Sequence, residues 1–276
     1  MNYKLLHIFR DTPFGRETFL HSLYFCKTIQ ATPVVYIPEN DKFLFYFNND
    51  VVQVDLDPSY IKDVKTAEKH ARALIEEAGL QPVFYKPKNY TASTLPDIST
   101  NFDFFNCPRS VSDVHSKIGL GHIGPKVRRI IKHTTFPVII SSPVFKPWKS
   151  IVVLFGGSEN SINAMKLGVK IALAAGYDLD IYTLMENGDQ AYYKETAEKE
   201  AFWELADGQI RNWHFYEKND FDAMLYDIPH DALLVLGAYG HGMIKDVLFG
   251  SKLETIQSTL SNNLLVTGPN TRVHLR

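Results

Sequence analysis

The sequence predicts an α/β fold made of two tandem domains, each a parallel sheet with helices on both faces. Short apolar runs of strand length alternate with segments whose apolar residues recur at helical spacing. In the second half two of these runs, 150–155 and 231–237, are almost wholly apolar, as in strands buried on both faces. The same order of elements occurs twice along the 276 residues. We interpret it as an internal duplication.

The first half opens with the run KLLHIF, which predicts a strand at 4–9. A helix follows over about 15–30, and a second helix at 61–78 carries Ala67, Ala71 and Ile75 on one face. Further strands of this half are predicted at 32–38, 82–87 and 102–108, and the segment 123–143 predicts a helix followed by a strand.

One segment, 41–58, breaks the repeat. It has two β-rich runs around Asn48-Asn49-Asp50, which predict an inserted hairpin. Two interpretations stay open. The hairpin covers the first domain as a flap, or it forms an association surface, because Phe43, Phe45 and Phe47 alternate onto one side.

The second half begins with SIVVLF at 150–155, a predicted buried strand. A turn rich in helix-capping residues follows at 156–161, and then a helix that Gly176 ends as a left-handed cap would. The remaining predicted elements are strands at 178–184, 212–217, 231–237 and 263–269, and helices at 191–206, 220–228 and about 251–261.

Two segments place the halves in register with each other, 123–143 and 249–269. Both have a glycine, a small residue and a lysine, then a helix, an apolar strand and a proline. We therefore expect a first domain at 1–143 and a second at 150–276. The linker 144–149 contains Pro147 and directly follows Pro143, and these prolines suit a short stiff connection.

Composition and charge exclude several classes of protein. The net charge of −2 gives no basic excess for binding nucleic acid. Two cysteines are too few for a disulfide framework or a zinc site, and suit a reducing cytoplasm. No run approaches the roughly 20 apolar residues of a membrane span, and the first residues do not resemble a signal peptide.

The stretch GAYGHGMIKDVLFGSK, 237–252, directly follows a predicted buried strand. Ligands of open α/β sheets lie outside the carboxyl ends of the strands. Gly240 and Gly250 would let the backbone approach an anion, and Ser251 stands where the next helix begins, with a hydroxyl and free N–H groups. Lys252 adds positive charge, and His241 lies in the same loop. The alternative is a loop that needs Gly237 for close packing and Gly250 for a turn.

The pattern G-x2-G-x9-G-S after a strand resembles the universal stress protein family, of the nucleotide-binding kind. IVVLFGGSENS and LLVTGP also look like the family's first and last strands, and the first half looks like a diverged copy. The resemblance implies two tandem domains, each an open five-stranded parallel sheet of strand order 3-2-1-4-5. It also implies ATP, with Mg²⁺, across the ends of strands one and four. In that arrangement Leu236 and Gly237 lie beside the ribose and phosphates, and Gly240, Gly250 and Ser251 hold the phosphates.

Two positions depart from the family pattern. Gly156 stands where the family's ATP binders carry an aspartate, and Leu154 stands in place of a proline. Ser158 or Asn160 would supply replacement hydrogen bonds. In the first half, Pro125 takes the place of Ser251 and lacks both a hydroxyl and a backbone N–H. We therefore expect a nucleotide site in the second domain only.

These features give three hypotheses of function. The first is a cytoplasmic stress-response or signalling module that binds ATP or a related nucleotide and acts on an unidentified protein partner. The second is an interaction protein whose sites no longer bind a nucleotide, and the third is a slow ATPase. No catalytic or metal-binding residues are predicted. The strands at 137–141 and 263–267 would pair within one chain as a pseudo-dimer, with a homodimer as a further option.

Overall fold

The structure is a computed structural model that describes residues 3–47, 50–58, 61, 63–91, 94–111, 123–239 and 260–273. Contacts between residues divide the chain into two compact units. Unit 1 is Met1–Pro147 and unit 2 is Trp148–Arg276. None of the described helices is long and apolar enough to cross a membrane.

Unit 1 contains a five-stranded parallel sheet and three described helices. Its elements in chain order are β1 (Lys4–Ile8), α1 (Pro13–Ile29), β2 (Thr32–Tyr36), β3 (Lys42–Phe47), β4 (Asp50–Asp55), α2 (Val64–Glu77), β5 (Val83–Tyr85), β6 (Tyr90–Thr91), β7 (Leu95–Ile98), β8 (Phe104–Cys107), α3 (Pro125–His133) and β9 (Val138–Ile140). The sheet has the order β5-β2-β1-β8-β9, which is 3-2-1-4-5 when its strands alone are numbered. Ala67, Ala71 and Ile75 are buried against this sheet, as the helical spacing predicted.

A buried polar network runs through the centre of unit 1. His7 Nδ1 lies 2.8 Å from Ser22 Oγ, which also accepts a hydrogen bond from the Asn106 amide at 2.5 Å. Ser141 donates to the carbonyl oxygen of the same amide at 2.7 Å. Strands β1 and β8, helix α1 and the residue that follows β9 are therefore connected by hydrogen bonds as well as by apolar packing.

The inserted segment belongs to a second, smaller sheet of order β4-β3-β7-β6. β3 and β4 pair antiparallel, and β7 joins β3 in parallel. The sequence analysis missed β6 and β7, which are only two and four residues long. Phe43, Phe45 and Phe47 are at most 9% exposed, so the hypothesis that they form an association surface is wrong. Their rings belong to the core of unit 1.

Unit 2 repeats the main sheet without the insertion. Its elements are β10 (Ser150–Leu154), α4 (Glu159–Ala175), β11 (Leu179–Met185), α5 (Gln190–Glu198), α6 (Trp203–Asp207), β12 (Ile210–Glu217), α7 (Phe221–Asp227), β13 (Ala232–Gly237) and β14 (Leu264–Thr267). The sheet is parallel with the order β12-β11-β10-β13-β14, again 3-2-1-4-5. The predicted fold class and strand order are confirmed in both units.

The helix predicted at 191–206 is wrong as one element, because the chain turns between α5 and α6. The turn brings the Glu200 carboxylate to 2.9 Å from Lys166 Nζ. The same ammonium lies 5.2 Å from the centre of the Phe202 ring. Both contacts are made with Lys166 of α4, so the residue pattern of 191–206 alone could not predict the turn. The helix predicted at about 251–261 lies outside the described residues, apart from its last two positions.

Candidate functional site

The candidate site lies at the carboxyl ends of β10 and β13, which are neighbouring parallel strands of unit 2. Leu154 and Leu236 are partners in the register, so the loops that follow the two strands begin side by side. These are strands 1 and 4 of the unit, and the direction of chain progression reverses between them. In open α/β sheets ligands bind in the crevice at such a reversal.

The first loop of the site, Gly156–Ser158, carries no side chain larger than a hydroxymethyl group. Gly157 has a φ of 74°, and a Cβ atom added there would lie 3.5 Å from the Tyr193 ring. Ser158 caps α4, since its Oγ accepts a hydrogen bond from the Ser161 N–H at 3.3 Å. The N-terminus of α4, which is the positive end of the helix dipole, therefore points at the crevice, and only the small residues of this loop lie in front of it.

The second loop begins at Gly237, where β13 approaches the first turn of α4 very closely. A Cβ atom on Gly237 would lie 2.4 Å from the Asn160 carbonyl oxygen. The Asn160 side chain donates to the Ala238 carbonyl at 2.6 Å, and Thr267 Oγ1 donates to the Asn160 carbonyl at 3.2 Å. Close packing is therefore sufficient to explain Gly237, and the Asn160 amide nitrogen is already engaged between the two loops.

An aromatic cluster supports the first loop from the β11 side. The Phe155 ring lies 5.7 Å from Trp213 and 6.4 Å from Tyr193, between ring centroids. The Tyr193 hydroxyl accepts hydrogen bonds from the N–H groups of Glu186 and Asn187, at 3.0 and 3.1 Å. The loop that follows β11 is thereby fixed beside the loop that follows β10.

The structure brings the described members of the predicted site to one edge of unit 2. Ser158 follows β10, and Leu236 and Gly237 end β13. The Leu236 side chain is buried, so this residue can offer a ligand only its backbone. The other predicted residues lie outside the described part of the chain: Gly240, His241, Gly250, Ser251 and Lys252.

The corresponding edge of unit 1, at the ends of β1 and β8, is filled by the β3–β4 hairpin. The Phe45 ring lies 5.3 Å from Phe105 of β8, and Phe43 lies 5.6 Å from Tyr36 of β2, between ring centroids. The cavity left between the hairpin and the ends of β1 and β8 has a volume of about 10 Å³. That volume accommodates about one water molecule at most.

Helix α3 of unit 1 is bound to the same hairpin through its basic residues. Lys126 Nζ donates to the Gln53 carbonyl at 2.7 Å and lies 3.6 Å from the Asp55 carboxylate. Arg129 forms an ion pair with Asp50. Lys126 is the sequence counterpart of Lys252, so in unit 1 the charge expected to face a phosphate faces β4 instead. This supplies a physical reason for the expectation of a single nucleotide site.

The first loop of unit 1 contains a carboxylate that the sequence analysis did not single out. The Asp11 side chain is 4% exposed and accepts hydrogen bonds from Arg16 at 2.7 Å and from His70 Nδ1 at 2.7 Å. Burial raises the pKa of Asp11, but these two hydrogen bonds outweigh it and leave the pKa below its ordinary value. The available signal in the sequence was an aspartate two residues after the strand predicted at 4–9, with an arginine five residues further on.

The part of the chain that the structure describes contains no group of three His, Cys, Asp or Glu side chains placed to hold a metal ion. Arg16 donates to one carboxylate oxygen of Asp11 and His70 to the other, so both oxygens are engaged within unit 1.

The chain was compared with known proteins at three levels. No protein-family model matches it. No curated protein matches it either. Solved structures do match over almost the whole chain. A universal stress protein from Archaeoglobus fulgidus has a TM-score of 0.63 at 16% identity, covering 96% of this chain and 98% of that one.

Two further structures have the same fold. A putative universal stress protein from Pseudomonas aeruginosa has a TM-score of 0.58 at 14% identity, with 98% of this chain and 94% of that chain covered. The cytoplasmic domain of a prokaryotic cation chloride cotransporter has a TM-score of 0.54 at 10% identity, with 99% and 98% covered.

These likenesses define a doubly wound α/β protein of the kind seen in universal stress proteins. The chain has the universal stress protein fold over nearly its whole length, and the predicted resemblance is confirmed at the level of fold. Since a transporter domain shares the architecture, the fold alone does not assign a function.

Proposed function

We propose that this chain is a tandem universal stress protein whose second unit binds ATP or a related nucleotide, with little or no catalysis. The observation that carries the proposal is the position of Gly237 and Ser158. Both stand at the carboxyl ends of the two strands between which the chain order reverses. The glycine pattern that continues to Gly250 and Ser251 starts from this same point.

The proposed roles follow from the kinds of group present. The Ser158 hydroxyl and the backbone of Leu236 and Gly237 contact the ribose and phosphates. Gly240, Gly250 and Ser251 hold the phosphates, Lys252 adds charge, and His241 contacts the ligand. The small residues of the first loop leave space for the nucleotide, but Gly156 supplies no carboxylate toward a metal. Mg²⁺ would therefore be held chiefly by the phosphates and water.

The proposed biological role is that of a cytoplasmic stress-response module. The nucleotide-bound state of unit 2 would be recognised by a protein partner. A slow ATPase ranks below this role, because no general base or metal-binding carboxylate stands out near the glycine loop in the sequence.

A second candidate function, an interaction protein that binds no nucleotide, has its own supporting observation. The polar side chains suggested as replacements for the missing aspartate both make internal hydrogen bonds. Asn160 donates to Ala238, and Ser158 accepts from Ser161. With these bonds formed, the first loop offers a nucleotide little beyond its backbone.

Thermal unfolding with and without millimolar ATP and Mg²⁺ separates the two functions. Ligand at 100 times its dissociation constant adds about 2.7 kcal/mol, which raises the Tm of a domain of this size by about 5 to 10 °C. We expect this rise in the wild type and its loss in a Gly240→Val/Ser251→Ala double variant. The absence of any rise in the wild type would favour the interaction protein.

Matched lysine variants assign the binding to one unit. Lys252→Ala should reduce the rise, whereas Lys126→Ala should lower the starting Tm through its lost contacts with β4 and keep the rise. The reverse pattern would place the nucleotide in unit 1 and contradict the proposal. Phosphate release measured on the same samples tests the slow ATPase.

A further inference from the structure

A second cleft lies on unit 1, beside the part of the sheet edge that the hairpin fills. It opens at the carboxyl ends of β2 and β5, beside the first turns of α2 and against β6 and β7. Its volume is about 170 Å³. A cavity of roughly 150 Å³ is sufficient to bind benzene, so this cleft accepts a small organic molecule. It lies between strands 2 and 3 of unit 1, so it is separate from the proposed nucleotide site.

Aromatic side chains form much of the cleft wall. Phe84, Tyr85 and Tyr90 line it together with Tyr36, which is 2% exposed. The Tyr36 and Tyr85 rings meet edge to face, with centroids 6.2 Å apart. The Tyr85 hydroxyl is fixed by a hydrogen bond from the Ser99 N–H at 2.9 Å. This side of the cleft is therefore formed before any ligand arrives, while Tyr90, 47% exposed, stands at the opening.

The charged groups of the cleft are two carboxylates and one ammonium. Glu39, Glu68 and Lys86 line it. Glu68 is paired with Arg72 at 2.9 Å, whereas Glu39 has no ion-pair partner among the described residues. Burial chiefly raises the pKa of Tyr36, and Tyr90, Glu39 and Tyr85 raise it further. The Glu39 carboxylate is therefore close enough to the Tyr36 hydroxyl to contribute to its raised pKa, and this hydroxyl stays neutral at physiological pH.

We propose that this cleft binds a small organic cation, such as a primary or quaternary alkylammonium. The faces of aromatic rings attract such a cation, and the attraction strengthens where water is excluded. The Arg72 guanidinium already lies over the Phe84 ring, 4.9 Å from its centre, so the rings that receive the ligand are the tyrosines. Glu39 supplies the unpaired negative charge. Because the cleft is small and partly enclosed, the ligand is a free small molecule with about the dimensions of choline.

A pair of isosteric probes tests the role of charge. Choline and 3,3-dimethyl-1-butanol have the same shape, but only choline is charged. Titration of the full chain, followed by calorimetry and by tyrosine resonances, should give saturable choline binding and at least tenfold weaker binding of the alcohol. No saturable choline binding, or equal affinity for the two probes, would overturn the proposal.

Substitutions at exposed positions test the site without threatening the fold. Glu39→Gln and Tyr90→Leu should each weaken choline binding several-fold, and Lys86→Gln should strengthen it because it removes a like charge. Tyr226→Leu, at a tyrosine that is 74% exposed in unit 2, is the control and should change nothing. Weaker choline binding in Lys86→Gln, or unchanged affinity in Glu39→Gln and Tyr90→Leu, would contradict the proposal. None of these outcomes depends on whether unit 2 binds a nucleotide.

Discussion

At the scale of single residues, Gly237 determines how closely β13 approaches α4. The Asn160 carbonyl carbon and oxygen lie 2.5 and 2.4 Å from the point where a Cβ atom would stand, and both are backbone atoms that cannot rotate away. The sequence analysis gave this glycine two explanations, a phosphate contact or close packing. The packing contact exists within unit 2 whether or not a nucleotide binds.

We predict that Gly237→Ala destabilises unit 2 by about 1–3 kcal/mol, the usual cost of overpacking a filled site. Urea unfolding followed by tryptophan fluorescence measures the change. Gly208→Ala is the matched control, because no atom lies within 4 Å of its added Cβ. It should be neutral or slightly stabilising. Equal stabilities of the two variants would show that β13 moves away from α4 at little cost.

At the scale of elements, the β3–β4 hairpin makes the largest difference between the two units. It brings three phenylalanines onto the end of the unit 1 sheet and places Asp50 and Asp55 beside α3. Alternation along 43–47 correctly identified one apolar face. Alternation does not show whether that face packs against the same chain or another one, because burial in a core and burial in an interface both require apolar residues at these positions.

We predict that Phe45→Ala destabilises unit 1 by about 3–5 kcal/mol, as expected for truncating a fully buried ring. Far-UV circular dichroism during urea unfolding measures the change. Val51→Ala on β4 is the control, because Val51 is 38% exposed. A surface substitution of this kind should change stability by less than about 0.5 kcal/mol.

Sedimentation of the same variants distinguishes a core residue from an association residue. Phe45→Ala should leave the molecular mass of the folded protein in solution unchanged. If Phe45→Ala abolished a dimer and left the stability unchanged, Phe45 would belong to an association surface and its assignment to the core would be wrong.

At the scale of the whole molecule, the two units differ in their buried histidines. His7 and His21 lie in unit 1 and are at most 3% exposed. Burial is the main cause that lowers the pKa of His7 to about 3, with the charge of Arg10 adding to it. Burial also lowers the pKa of His21 to about 4. In unit 2 the described histidines are half-buried or exposed.

These pKa values predict that acid destabilises unit 1 first. The unfolded chain takes up a proton near pH 6.5, whereas folded unit 1 does not until much lower pH, so stability falls as the pH drops below 6.5. Each histidine should account for about 2 kcal/mol between pH 7 and pH 5. Far-UV circular dichroism reports on both units. Fluorescence reports on unit 2 alone, because it contains all three tryptophans, Trp148, Trp203 and Trp213.

The expected result is a dichroism transition that moves to lower urea at pH 5 by more than the fluorescence transition does. His21→Gln keeps an N–H that can donate to the Val144 carbonyl, to which His21 Nε2 lies at 3.1 Å. This variant should reduce the pH dependence, whereas exposed His230→Gln serves as the control for removing a histidine. A pH dependence unchanged by His21→Gln would show that other groups cause the acid sensitivity.

The sequence by itself determined the alternation of strands and helices, the repeat, and the position of the glycine stretch after a buried strand. Such features are local, because the apolar residues that face the core recur along the sequence with the period of the strand or helix that carries them. The resemblance to universal stress proteins then supplied the strand order, which both units have.

Only the tertiary structure decided where remote segments meet. It joins β7 to β3 across more than forty residues, turns the hairpin phenylalanines inward, and sets Gly237 against Asn160. It also gathers Tyr36, Glu39 and Tyr90 around one cleft. Contacts between residues distant along the chain depend on packing geometry. The residue pattern of one segment does not show which other segment packs against it. For that reason the sequence located one edge for a nucleotide, and the fold was needed to find the second cleft.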